Sequence, residues 1–69
     1  MDRKAAELLM REMLALGGPL NSATDIISRI DDREEQAKLR KEVGELMARV
    51  YTNLMVPIIS QYPDLDPDK

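Results

Sequence analysis

The sequence predicts an all-α fold: three helices per chain, over about 2–16, 22–30 and 32–61 with a kink near Pro57, pairing into a homodimeric helical bundle. Three observations predict it. Apolar residues recur at three- and four-residue spacing through most of the chain, the pattern of helix faces, and no stretch reads as a strand. Gly, Pro and acidic capping residues fall between the apolar stretches, where helices start and stop. The chain has only 69 residues and no cysteine, so a disulfide cannot supplement a core that is small at this length. Of the usual supports, association with another chain is what remains.

In the first segment Ala5, Leu9, Met13 and Leu16 share one face. Arg3–Glu7 and Glu7–Arg11 pair four residues apart on the solvent side. "GGP" at 17–19 is expected to stop this helix, with glycine as a left-handed cap and proline beyond it. The second segment opens at "SATD", where Ser22 is a candidate cap and Asp25 takes the third position of a capping box. Ala23, Ile26, Ile27 and Ile30 follow at helical spacing.

The polar run "DDREEQ" holds no Gly or Pro, yet a turn is expected at Asp31–Asp32. Either aspartate is a good N-cap with an acidic residue three positions on. The apolar face also switches there: at about 100° per residue, Ile26 and Ile30 point away from Leu39, Val43, Leu46 and Val50. The third segment carries a stripe that widens toward its end, through Leu46, Met47, Val50, Tyr51, Leu54, Met55, Ile58 and Ile59. Glu34–Lys38, Lys38–Glu42, Lys41–Glu45 and Glu45–Arg49 line the rest of its surface. Pro57 crowds the carbonyl of Asn53, so the helix kinks there and runs one further turn before Pro63 ends it. The first two segments match the third in length and are expected to lie in series along it. Residues 1–62 then form a single helical domain and residues 63–69 an acidic C-terminal tail.

Composition narrows the function classes. Without His or Cys there is no Ser/His or Cys/His pair, and no Gly-rich phosphate loop is present. Asp64, Asp66 and Asp68 match the opening of a calcium loop, D-x-D-x-D, but lack the glycine and the twelfth-position Glu. The tail is therefore read as a helix stop with a solvated extension, onto which Leu65 can fold back. "KLRK" at 38–41 is the one basic cluster; its lysines have acidic partners four residues away and no aromatic interleaves them. With net charge -3, nucleic acid is not an expected partner. No apolar run approaches the roughly 20 residues that span a bilayer, so no membrane is expected and the cytoplasm is the default. No metal and no cofactor are expected.

The methionines within the helices read as core filler, and Gly44 within the long helix reads equally as a point of close approach by another helix or as a tolerated weak spot. The stripe of the third helix is wider than one neighbour covers, which makes Met47, Val50, Tyr51, Leu54, Met55 and Ile58 the expected interface with a second copy. A small cytoplasmic protein-interaction or regulatory module, not an enzyme, is the function this implies. The alternative is a helical enzyme or anionic-ligand binder whose pocket forms between subunits from Arg11, Arg29 or Arg49. "RIDDREEQ", residues 29–36, resembles a segment of the helical-dimer chorismate mutases, which hold a dicarboxylate with Arg and Lys from both chains. That resemblance implies no site residue in this chain.

Overall fold

The computed structural model describes residues 1–68; Lys69, the end of the expected tail, lies outside the described residues. The chain is all-helical and folds as a hairpin of two long arms. The first arm is α1 (Arg3–Ala15) followed directly by α2 (Gly17–Ile27). The second is α3 (Arg33–Val50), a π-helical turn at Tyr51–Met55, and α4 (Val56–Gln61). A 3-10 turn at Pro63–Leu65 closes the described chain. α2 packs along α3, and α1 packs along the π turn and α4.

Two arms, not three separate helices, is the first correction to the sequence reading. "GGP" bends the first arm without stopping it. Leu16 keeps right-handed helical angles, and no glycine has positive φ, so the expected left-handed cap is absent. The ladder tightens locally, with Leu16 N–H donating to the Met13 carbonyl at 3.2 Å, and resumes from Leu20 N–H to Leu16 C=O at 3.0 Å. Pro19 is the third residue of α2. A first-turn N–H has no partner within its own helix, so a proline there forfeits little. Ser22 accordingly lies inside α2 and caps nothing. The inner face is also rotated by one residue, to Ala6 and Met10 with Leu9 and Met13 beside them, leaving Ala5 and Leu16 exposed. The run Leu8-Leu9-Met10 is apolar in both phases, so spacing alone does not fix the choice.

The turn expected at Asp31–Asp32 is present. Asp32 leaves the helical region and its carboxylate accepts from the N–H groups of Glu34 and Glu35, at 3.0 and 3.3 Å. Gln36 finishes the turn from the other side. Its Nε2 donates to the carbonyls of Ser28 at 2.9 Å and Ile27 at 3.3 Å, two acceptors at the open end of α2. One side chain thus ties the end of the first arm to the start of the second.

The kink expected at Pro57 takes the form of the π turn before it. Val56 N–H donates to the Tyr51 carbonyl, five residues back. The inner face of the second arm accordingly runs Val43, Val50, Met55, Ile58, Tyr62, with a step of five between Val50 and Met55. A regular helix would have carried Leu54 inward at that level. The inserted residue instead leaves Leu54 40 % exposed.

Where the two arm ends meet, Ala6, Met10 and Ile58 form the core, with Leu9, Met55, Ile59, Tyr62 and Leu65 packed against it. The tail is therefore less solvated than expected. Leu65 folds back as anticipated, and Asp64 forms an ion pair with Arg3. Asp66 accepts from the N–H of Asp68 at 2.9 Å. Among the described residues, no cluster of acidic side chains could hold a metal ion.

Candidate interaction surface

A hairpin of two helices is one layer thick, and its dimensions show the consequence. The molecule measures 46 × 19 × 17 Å with a radius of gyration of 14.7 Å. A compact chain of this length would have about 11 Å. Among the described residues only Ala6, Met10, Ile27 and Ile58 are buried. Large apolar side chains are exposed along both arms, among them Leu8, Leu14, Ile26, Leu46, Met47 and Tyr51.

The surface area makes the point quantitative. A folded chain of 7.8 kDa exposes about 4,400 Å², whereas this one exposes 5218 Å². The excess of about 800 Å² equals what one partner contributes to an interface of ordinary size.

The uncovered apolar surface is continuous at mid-length, where the bend of the first arm faces the end of α3. Met13, Leu14, Leu16, Gly17, Leu20, Met47, Val50 and Met55 line a groove of about 170 Å³ there. Gly17 has nothing within 4 Å of where a Cβ would stand, so the groove floor is open at that point. Leu14 and Leu16, at the junction of α1 and α2, form its first-arm wall.

Of the residues expected at an interface, Ile58 is fully enclosed within the single chain. Val50 and Met55 are half-buried and line the groove. Met47, Tyr51 and Leu54 are exposed, at 42, 51 and 40 %. The sequence reading missed the contribution of the first arm, Leu14 and Leu16 in particular. Their signal was the apolar run continuing to the GGP bend, which only a helix passing through the bend turns into a groove wall.

The three arginines considered for an anion pocket occupy separate places. Arg11 lies in α1. Arg29, beside the turn, pairs with Asp25 at 2.6 Å. Arg49 borders an open depression that also carries Glu42 and Glu45. Of the expected pairs four residues apart, Arg3–Glu7 at 3.1 Å and Lys41–Glu45 at 4.0 Å are formed. Among the described residues the others are not, as expected of long side chains in water, where ordering both partners costs as much as the attraction returns.

One titration shift accompanies this geometry. Arg3 is raised above its ordinary value by its hydrogen bond to Asp64 and that residue's charge, and then by Glu7. The guanidinium also lies 5.5 Å from the centre of the Tyr62 ring. It serves as a clamp between the arm ends.

No helix among the described residues is long and apolar enough to cross a membrane. Comparison with protein families, with characterised proteins and with solved structures finds no match. The eight residues that resemble chorismate mutases thus have no family match behind them.

Proposed function

We propose that the chain is a small cytoplasmic protein-interaction module that works as a homodimer, two hairpins joining their open sides into a four-helix bundle. The excess surface carries this reading, because it equals one side of an ordinary interface and is apolar where the two arms meet. Two-fold pairing is the commonest closed arrangement for identical chains. Burying exposed side chains such as Met47, Leu14 and Tyr51 contributes on the order of 1.5–3 kcal/mol for each that becomes fully covered. Several per chain, doubled by symmetry, offset the entropy of association. Binding through protein contacts, without catalysis, is the activity such a surface supports.

Sedimentation equilibrium at micromolar concentration tests it. The expected mass is twice 7.8 kDa. A single species at the monomer mass would overturn the proposal.

A further inference from the structure

Beside the groove, α3 and the first residue of the π turn carry a second row of exposed side chains. Ala37, Arg40, Gly44, Met47 and Tyr51 succeed one another by three, four, three and four residues, and all five are exposed. That alternation is the spacing of a coiled-coil seam, with Ala37, Met47 and Tyr51 as its apolar members and Arg40 and Gly44 as its charged and small ones. The row lies roughly 80° around the helix from Val43 and Val50, which face the first arm. Met47 belongs to both surfaces, since it also lines the groove. Gly44 has nothing within 4 Å of its would-be Cβ, so packing within one chain does not account for it.

We propose that this seam is where the second copy docks, with the two α3 helices antiparallel and the two-fold axis passing between Gly44 and Met47. The inference rests on the homodimer reading and adds the face and direction of pairing. In that register Gly44 faces Met47 of the partner subunit, a long side chain over a missing one. Arg40 faces the partner's Tyr51, a cation over an aromatic ring. Both pairs occur twice by symmetry. A parallel arrangement would oppose Met47 with its own copy, leave a gap between the two glycines, and set Arg40 against Arg40 of the partner subunit. The antiparallel register separates those two arginines by about 16 Å along the helix axis, well beyond the screening length of about 8 Å at physiological salt.

The natural absence of cysteine makes the test direct. Arg40→Cys and Tyr51→Cys proteins are mixed in equal amounts, oxidised mildly, and their cross-linked peptides identified by mass spectrometry. The mixed 40–51 disulfide is expected as the main product. Predominant 40–40 and 51–51 products would overturn the antiparallel register. A mixture that sediments as a dimer yet cross-links nowhere would place the interface on another face and overturn the seam. A wild-type monomer in the same centrifuge run would instead remove the homodimer reading beneath it. As a second measurement, Gly44→Leu is expected to weaken dimerisation at least tenfold, with Lys38→Leu, off the seam, unchanged. Equal affinities for the two variants would also overturn the seam.

Discussion

The phenolic O–H of Tyr62 donates to the main-chain carbonyl of Met1 at 2.9 Å, joining positions 61 residues apart. Around that bond the arm ends are fastened several times over. The Met1 amino group donates to Gln61 Oε1 at 2.9 Å, Arg3 pairs with Asp64, and Leu65 closes over the core. The open end of the hairpin is therefore fastened by side chains, as the turn end is by Asp32 and Gln36.

Removing this fastening should loosen the tail before it unfolds the hairpin. Tyr62→Phe deletes one neutral hydrogen bond, at a cost of about 0.5–1.5 kcal/mol. Arg3→Ala deletes both ion pairs and the ring contact. Amide exchange of Leu65 and Asp66, whose N–H groups bond to the Tyr62 and Pro63 carbonyls, is expected to accelerate in both variants. Exchange in α3 should stay as it was. Uniform acceleration throughout the chain would show that the clamp and the arms unfold as one unit.

At the other end, Asp32→Ala removes the cap of α3 and should cost about 0.5–2 kcal/mol. Gln36→Ala takes the side-chain donor from the Ser28 carbonyl and leaves the Ile27 carbonyl with the Ile30 N–H, and should cost about 1 kcal/mol. Because Asp32 and Gln36 serve the same turn, the double variant is expected to lose less than the two costs added together. Urea unfolding of the three proteins measures this. Strict additivity would mean that Gln36 holds the end of α2 independently of the cap.

How much of this was legible in the sequence differs from element to element. The turn was legible because Asp32 has an acidic residue at the right distance and because the apolar face changes side there. The stop at Pro63 was legible from proline chemistry alone. The continuity of the first arm was not, since "GGP" supports either a left-handed stop or a bend that passes through. Tertiary packing of α2 along α3 favours the bend. The π turn was half legible: Pro57 announces a disturbance, but only the burial of both Val50 and Met55 shows that one residue has been inserted. The breadth of the stripe singled out Tyr51, Met47 and Ile58 alike. Tyr51 and Met47 are exposed on the single chain, whereas Ile58 is enclosed by it, because the inserted residue turns it toward Ala6 and Met10.

That insertion has two candidate causes, the proline and the core, and Pro57→Ala separates them. The alanine N–H could donate to the Asn53 carbonyl and restore a regular helix, a gain of about 1 kcal/mol. Restoring it would turn Met55 and Ile58 away from the core, losing about 1.5–3 kcal/mol for each. The π turn is therefore expected to survive the substitution, with the Met55 and Ile58 side chains still shielded from a soluble paramagnetic probe in NMR. Exposure of both would show that the proline, not the packing, sets the register.

The last prediction separates the core from the surface that the homodimer would bury. In a dimer whose stability depends on association, the thermal midpoint rises with protein concentration. Wild-type protein is expected to show that rise. Ile58→Ala empties the centre of the small core and should cost about 2–5 kcal/mol, lowering the midpoint at every concentration. Its dependence on concentration should remain while the arms still pair, because Ile58 has no exposed surface to offer a partner. Leu54→Asp acts in the opposite way. Its side chain already stands partly in water, so a carboxylate there is tolerated by the single hairpin and harmful only where a second chain covers it. Its midpoint should fall to that of the dilute wild-type protein and cease to depend on concentration. Scanning calorimetry over a hundredfold range of concentration reads both effects. A flat wild-type midpoint would show that the hairpin stands without a second copy, and a Leu54→Asp protein that keeps the wild-type slope would place Leu54 outside the contact.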